Sequence, residues 1–297
     1  MEAKLIDLND YTISGAGAVG ESFNHNSDPS VMLKLYRAEK PRESIEQELL
    51  FAQRVFNTGI PTPEPGEFVT DGNGRYGMKF QRIVGKKSYS RACSDNPELI
   101  EPLAREFALL CRQLHDTHLA HGEFPDVKDE YIKMLIANQL FTSDEKERIE
   151  QFILGGPEGD SALHGDLQFS NAIRVQGEQE VQGVQEVQGV QEDQEIQKYF
   201  IDLGDFTIGH PYFDLGQVLL CCMYEDEEFS QEVFHLTCAQ GAEFWHWFVK
   251  GYWDDDADPA EWQKVLAPYA GLKVLMIERE FPDFKIEKYH RLLLDNI

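Results

Sequence analysis

Hydrophobic and polar residues alternate along the first 84 positions in the pattern that is typical of β-strands. Strands are predicted at Tyr11–Ser14 and Val31–Tyr36, and a hairpin is predicted over Gly66–Phe80. Between them, Arg42–Phe56 has apolar residues at helical spacing, which predicts a helix with one buried face. The first part of the chain is therefore expected to be a small β-rich unit with one helix.

From about residue 85 onward the periodicity becomes mainly helical. Helices are predicted over Leu103–Leu119, Tyr131–Leu140 and Phe229–Phe248. Two short strands, Asn171–Val175 and Tyr199–Ile201, interrupt this helical part. The chain as a whole is therefore expected to belong to the α+β class.

The 297 residues correspond to about two domains, and the change of periodicity divides them into 1–84 and 85–297. Within the second domain, residues 175–198 form a Gln- and Glu-rich repeat with a period of six. These units are too short for a solenoid core, and they lie between two predicted strands. We expect an expanded surface loop, mobile or loosely paired, and favour a tolerated insertion over a functional role.

Composition narrows the classes of function. No apolar run is long enough for a membrane span, and the first residues do not resemble a secretory signal. Five cysteines, an odd number without a CxxC motif, indicate reduced thiols in a cytoplasmic protein. The net charge of −26 argues against nucleic acid as the main ligand. It permits a cationic substrate, although solubility explains the charge more simply.

Two short runs carry the strongest chemical signal. The first is His164–Asn171 (HGDLQFSN), and the second is Ile201–Gly216 (IDLGDFTIGHPYFDLG). They supply Asp166, Asn171 five positions later, and Asp202 beyond a predicted strand. Phosphoryl transfer from a nucleotide needs such a set, with one carboxylate to orient a hydroxyl group and two oxygen ligands for Mg²⁺.

Residues upstream could hold the phosphates of a nucleotide. Gly15 and Gly17 belong to a flexible turn, completed by Gly20, whose backbone amides could approach a phosphate group. Lys34 lies in the middle of the strand that follows, on a face from which a lysine could reach the α and β phosphates. The glycine turn is a weak motif alone, and its position before Lys34 strengthens it.

An acidic partner would fix the position of Lys34. Glu48 is the favoured partner, since it lies beside Leu49 on the predicted helix. Glu46 and Glu43 on the same helix are competing candidates.

This ordered set of motifs resembles the aminoglycoside phosphotransferase / choline kinase superfamily, a branch of the protein-kinase-like fold. The order is glycine turn, strand lysine, helix glutamate, HxDxxxxN, DxG and GHPxFDLG, and it covers nearly the whole chain. The last motif favours small-molecule kinases over protein kinases. The resemblance implies a bilobal fold, with a small antiparallel-sheet N-terminal lobe and a larger, mainly helical C-terminal lobe.

The resemblance also implies roles for single residues. Asp166 would be the catalytic carboxylate that accepts the proton of the attacking hydroxyl. Asn171 and Asp202 would be the Mg²⁺ ligands. His164 and Asp214 would support the catalytic loop structurally.

Two further implications concern the nucleotide and the spacing of the motifs. Gln81 and Ile83 lie where the resembling fold links its lobes, and their backbone atoms would contact the adenine ring. Asn171 and Asp202 are 31 positions apart (202 minus 171), which is longer than is usual in the family. The hexapeptide repeat accounts for the excess.

The expected activity is therefore ATP-dependent, Mg²⁺-dependent transfer of phosphate to a hydroxyl of a small molecule, with GTP left open as the donor. An aminoglycoside, a choline-like amino alcohol or a sugar would be the acceptor, and no nucleic-acid or membrane partner is expected. The aromatic and acidic segment Trp245–Asp258 suits an ammonium group, but simple helix packing is the favoured interpretation. A protein kinase and a nucleotide-binding pseudokinase scaffold are the alternatives.

Overall fold

A computed structural model describes residues 1–16, 20–175, 196–280 and 287–297. The chain forms two compact units. The first unit consists of Met1–Lys87 and Ile173–Gly204, and the second consists of Ser88–Ala172 and Asp205–Ile297.

Strands dominate the first unit and helices dominate the second. The strands, in chain order, are β1 (Lys4–Leu5), β2 (Tyr11–Ala16), β3 (Gly20–His25), β4 (Val31–Tyr36), β5 (Pro65–Thr70), β6 (Tyr76–Gln81), β7 (Lys86–Ser88), β8 (Ser161–Leu163), β9 (Ala172–Val175), β10 (Lys198–Phe200) and β11 (Thr207–Gly209). The α-helices are α1 (Arg42–Phe56), α2 (Tyr89–Asp95), α3 (Ile100–His115), α4 (Val127–Ala137), α5 (Ser143–Gly155), α6 (Tyr212–Met223), α7 (Glu227–Phe229), α8 (Cys238–Tyr252), α9 (Pro259–Leu272), α10 (Val274–Glu280) and α11 (Glu287–Leu294). Short 3₁₀ helices lie at Leu8–Asp10, Pro97–Leu99 and Leu203–Asp205, and a π-helix lies at Ser230–Phe234.

A six-stranded sheet in the order β1-β5-β6-β4-β3-β2 forms the centre of the first unit. All its pairs are antiparallel except β1 with β5. Since successive side chains of a strand point to opposite faces, β4 contributes to two cores. Leu33 and Leu35 pack on one face, whereas Tyr36 packs with Ile45 and Leu49 of α1 on the other. Lys34 shares the face of Tyr36, and this alternation directs it toward α1.

A second sheet, in the order β10-β9-β7, explains why residues 173–204 group with the first unit. The N–H of Phe200 also donates to the carbonyl of Pro61, 2.8 Å away, in the segment that follows α1. This grouping differs from the sequence-based division into 1–84 and 85–297, because local periodicity contains no information on which strands pair.

The second unit has a core of packed helices and a two-stranded sheet of β8 and β11. Phe107 of α3 contacts Phe244 and Phe248 of α8, with ring centroids 5.9 and 5.6 Å apart. No helix in the described ranges is long and apolar enough to cross a membrane.

The structure has the α+β architecture that the sequence predicts. The bounds of α1 and β4 match the predicted ranges, but a continuous helix over Phe229–Phe248 is wrong. His235 has φ of +62°, which ends the preceding π-helix, and Thr237 then caps a new helix. Residues 176–195, nearly all of the hexapeptide repeat, lie outside the described residues.

Candidate active site

The first unit pairs Lys34 with Glu48. Lys34 projects from β4 and Glu48 from α1, and the distance from Nζ to Oε1 is 3.1 Å. Glu46, one of the competing candidates, instead contacts Arg42 and the amino group of Met1. A lysine held by a helix carboxylate in this way is fixed in direction.

Glu48 has two further polar partners that sequence reasoning did not find. Lys40 donates to Oε2 over 2.5 Å, and the hydroxyl of Tyr36 donates to Oε1. Burial by itself would raise the pKa of Glu48, but Lys34, Lys40 and Tyr36 together lower it below its ordinary value. Tyr36 lies two positions after Lys34 in the strand, so the period of two was the signal that could have identified it.

The glycine turn is only partly described. Gly15 belongs to β2 and Gly20 begins β3, whereas Gly17 lies outside the described residues. A Cβ atom on Gly20 would lie 2.6 Å from the carbonyl oxygen of Leu35, so a side chain would not fit there.

Of the residues expected to contact adenine, Gln81 ends β6 and Ile83 lies two positions after it. The N–H of Gln81 donates to the carbonyl of Glu64 over 2.8 Å, and Ile83 is buried. Their contact with a nucleotide stays a prediction.

In the second unit, Asp214 holds the loop that leads to Asp166. The fully buried carboxylate accepts hydrogen bonds from the backbone N–H groups of His164 (2.6 Å) and Gly165 (2.9 Å). His115 Nε2 lies 3.2 Å from the same carboxylate. Burial alone would raise the pKa of Asp214, but His115 and the nearby Lys273 lower it, so the group is a carboxylate at neutral pH.

Asp166 itself is oriented by two amide side chains. Its Oδ2 atom accepts hydrogen bonds from Gln168 Nε2 and Asn171 Nδ2, each 2.9 Å away. Its backbone N–H donates to His164 Nδ1 over 3.4 Å, and Asn171 Nδ2 also reaches its backbone oxygen, 3.1 Å away. Within the part of the chain that the structure describes, these contacts use Oδ2, which leaves Oδ1 for a ligand.

Asp202 belongs to the first unit, and its backbone is unusual. It follows β10 with φ of +64°, a left-handed conformation that Asp tolerates better than most residues. Burial and Glu48 raise the pKa of Tyr36, and the charge of Asp202 contributes to this shift. The charge of Asp202 therefore acts on Tyr36, whose hydroxyl donates to Glu48.

The oxygen atoms expected to bind Mg²⁺ are suitable in kind. Because Asn171 uses Nδ2 to bind Asp166, its Oδ1 is the atom that can contact a cation, and Asp202 contributes an exposed carboxylate. No group of three or more His, Cys, Asp or Glu side chains among the described residues is arranged to hold a metal ion. Mg²⁺ usually keeps water and phosphate ligands and needs few protein side chains. Its binding by Asn171 and Asp202 stays a prediction.

Sequence reasoning missed Gln168, His115 and Lys273 around the catalytic loop. Lys273 is buried, and its Nζ donates to the carbonyl of Gly165 over 2.7 Å. A signal for Lys273 was present, because it is the one charged residue in an apolar stretch, as Lys34 is in β4. No comparable pattern marked His115.

The aromatic segment proposed for an ammonium group is mostly engaged in packing. Phe244 and Phe248 are buried, and Trp253 stacks on Trp262 with ring centroids 3.7 Å apart. Asp255 pairs with Arg105 over 2.8 Å. These contacts agree with the packing interpretation that the sequence favours.

Comparisons with known proteins found similarity in structure. No family model and no curated protein sequence matches the chain. An amicoumacin kinase, hAmiN, in complex with AMP-PNP, Ca²⁺ and Ami has a TM-score of 0.55 and 14% identity, and the match covers 99% of this chain and 88% of that one. The streptomycin–ATP–APH(2")-IIa ternary complex has a TM-score of 0.54 and 18% identity, covering 96% and 91% of the two chains.

A choline/ethanolamine kinase family protein from Mesorhizobium loti is also similar, with a TM-score of 0.53 and 16% identity. That match covers 96% of this chain and 86% of the other. At such low identities the likeness concerns the fold. The chain therefore has the fold of these kinases, which confirms the fold that the motif order predicts.

Proposed function

We propose that the protein is a phosphotransferase that moves the γ-phosphate of ATP to a hydroxyl group of a small molecule. The observation that carries this proposal is the arrangement of Asp166. Its carboxylate is oriented by Gln168 and Asn171, and its loop is held by the buried carboxylate of Asp214. The kinases of similar fold support the same reaction class.

In this reaction Asp166 accepts a hydrogen bond from the attacking hydroxyl and then its proton, late in the transfer. The Oδ1 atom is available for this contact, while Oδ2 is occupied by the two amides. Lys34 contacts the α and β phosphates, and Glu48 keeps its ammonium group in place. His164 and Asp214 act on the backbone of the loop and do not exchange protons with the substrate.

Asn171 and Asp202 are the residues proposed to hold Mg²⁺. A bound Mg²⁺ would neutralise charge on the phosphate oxygens. Asn171 has two roles in this scheme. Its side-chain nitrogen orients Asp166, and its side-chain oxygen would bind the cation. Gly15 and Gly17 are proposed to approach the phosphates, and the backbones of Gln81 and Ile83 are proposed to contact the adenine ring.

The acceptor is proposed to be a small hydroxyl compound of the aminoglycoside, amino-alcohol or sugar type. The structures of similar fold include an amicoumacin kinase and a complex with streptomycin. A cationic acceptor also agrees with the net charge of −26. A cytoplasmic location is part of the proposal, and the five free thiols support it.

Replacement of the catalytic carboxylate tests the reaction. We expect Asp166→Ala to lower phosphoryl transfer by about 10²–10⁴-fold, because the hydroxyl then has no base. Asp160→Ala is the matched control, since Asp160 is exposed in the same unit and its carboxylate contacts His118. Equal turnover of radiolabelled ATP by Asp166→Ala and the wild-type protein would overturn the mechanism.

The donor and the acceptor can be identified by ligand-dependent melting. Mg²⁺–ATP and Mg²⁺–GTP are compared first, and aminoglycosides, choline, amino alcohols and sugars are then added to the preferred nucleotide. A ligand present at 100 times its Kd stabilises the folded state by about 2.7 kcal/mol, which is easily measured. Absence of stabilisation by either nucleotide, together with absence of turnover, would contradict the proposed function.

A further inference from the structure

Lys273 is a buried lysine at the catalytic loop. It lies between α9 and α10, and only 2% of the residue is exposed. Its Nζ donates to the carbonyl oxygen of Gly165 over 2.7 Å and lies 5.7 Å from the centroid of the Tyr131 ring. The chain thus places an ammonium group at the peptide bond that immediately precedes Asp166.

The charge on this lysine is retained despite its burial. Burial alone would lower the pKa of Lys273, but Tyr131, Asp214 and Asp166 raise it above its ordinary value. Removing a charged group from water costs free energy of folding. An apolar side chain of similar volume at the same position often gives a protein that is at least as stable. Stability therefore gives no reason for a lysine at this position, whereas a requirement for a strong donor does.

Lys273 donates to the oxygen of a single peptide group, the one between Gly165 and Asp166. The carbonyl of Gly165 and the N–H of Asp166 belong to the same planar peptide. Lys273 binds its oxygen, and His164 Nδ1 accepts from its N–H over 3.4 Å. The two preceding N–H groups, those of His164 and Gly165, both donate to Asp214. Asp214, His164 and Lys273 therefore hold three successive peptide groups, the last of which ends at the Cα atom of Asp166.

We infer that Lys273 is a positioning residue for Asp166: its ammonium group fixes the plane of the Gly165–Asp166 peptide and thereby the direction of the Asp166 carboxylate. This inference rests on the proposed function, in which Asp166 contacts the attacking hydroxyl. Lys273 contacts no reacting atom in this scheme. Its removal should therefore lower the rate of transfer without weakening the binding of nucleotide.

The test replaces the donor with an apolar side chain of similar length. Lys273→Met is expected to lower kcat by about 10²-fold, the typical effect of misplacing a catalytic group by about 1 Å, and to leave the KM for ATP within about twofold. Lys273→Arg keeps a cationic donor and is expected to recover at least part of the lost kcat. A partly unfolded variant would also lower the apparent kcat at an unchanged KM, so kcat is expressed per mole of folded protein.

Lys128→Met is the matched control. Lys128 is also buried, and its Nζ donates to the backbone carbonyls of Leu154 and Gly156, outside the catalytic loop. The same chemical change there should cost a similar amount of stability without changing kcat. Urea unfolding of both variants checks that they are folded under the conditions of the assay.

Hydrogen exchange of the backbone amides gives a readout that does not depend on activity. The amides of His164, Gly165 and Asp166 should exchange at least tenfold faster in Lys273→Met than in Lys128→Met. Faster exchange together with reduced kcat supports the inference, whereas equal exchange in the two variants, or unchanged kcat in Lys273→Met, overturns it. If the wild-type protein transfers no phosphate, the proposed function fails, and the exchange rates alone decide whether Lys273 holds the loop.

Discussion

At the scale of single residues, Gly165 in the loop before Asp166 has no room for a side chain. Its φ is +86°, and an added Cβ would lie 2.0 Å from the backbone oxygen of Asp205. Gly165→Ala therefore combines a left-handed backbone with a clash against main chain. We expect a loss of stability of at least about 2 kcal/mol and a large loss of phosphoryl transfer, measured by urea unfolding and ATP turnover.

Gly122→Ala separates the two causes. Gly122 has a similar φ of +89°, but an added Cβ would meet no atom within 4 Å. This variant should lose only the conformational contribution of about 1–2 kcal/mol and keep its activity. Equal losses in both variants would show that crowding at Asp205 has no effect.

Glu48 gives a prediction for the dependence of stability on pH. Its pKa is lowered from the ordinary value of 4.5, so its ion pairs stabilise the fold above about pH 4.5. This contribution disappears as the pH falls through the lowered pKa. The stability difference between the wild-type protein and Glu48→Gln should therefore be about 1–3 kcal/mol at pH 7 and should shrink in acid, as measured by urea unfolding.

Glu43→Gln is the control for this pH dependence. Glu43 is exposed on the same helix, so its substitution should change stability by less than about 0.5 kcal/mol at pH 7. A difference for Glu48→Gln that stays constant between pH 7 and acid would contradict the assignment of the ion pairs.

At the scale of elements, the sequence was most informative where one periodicity runs undisturbed. Arg42–Phe56 has a continuous apolar stripe and a proline before its first residue, and the structure begins and ends α1 at the predicted residues. The predicted helix over Phe229–Phe248 had the same spacing, but the left-handed His235 interrupts it. Spacing alone does not show such a break, because the apolar positions on both sides remain in phase.

The candidate active site shows the same limit of prediction from sequence spacing. The candidate catalytic and metal-binding residues were predicted because motifs have fixed spacing, as for Asp166 and Asn171. Lys273 contacts Gly165 from the junction of α9 and α10, and His115 contacts Asp214 from the end of α3. Both are distant in sequence from their partners, so only the tertiary fold brings them together. Roles assigned to Asp166, Lys34 and Asp202 remain predictions until they are tested by substitution.

The apolar stripe of α1 makes a prediction about this element. Leu49 is fully buried against β4 and β6, whereas the neighbouring Leu50 is 48% exposed. Leu49→Ala should therefore destabilise the protein by about 2–5 kcal/mol, and Leu50→Ala by less than about 0.5 kcal/mol. Urea unfolding measures both, and similar losses would show that the helix does not bury the predicted face.

At the scale of the whole molecule, two properties bear on function: the net charge and the share of the chain that the kinase structures match. The chain has 53 acidic and 27 basic residues, so its field attracts cations and repels polyanions. In the proposed function local cations hold the nucleotide against this field, and Lys34, which is paired with Glu48, is the cation proposed for it. The matches with the three kinase structures cover at least 96% of this chain. The resemblance thus extends to both units and is not confined to one motif.

The hexapeptide repeat is the part of the sequence that this scheme does not need. Its flanks are held together, because the N–H of Val175 donates to the carbonyl of Gln197 over 2.9 Å, and β9 pairs with β10. Replacing residues 177–195 with Asn-Gly leaves a four-residue connection, which is a common length for a hairpin. The kcat and KM should stay within about twofold of the wild-type values.

The same replacement should raise stability, since closing a loop of four residues costs less entropy than closing one of more than twenty. The expected gain is about 1–2 kcal/mol in urea unfolding. A Gly-Ser segment of the original length is the matched control, and it should keep both the activity and the stability of the wild-type protein. Loss of activity in both variants would show that the sequence of the repeat has a function, whereas loss in the short variant alone would show that its length matters.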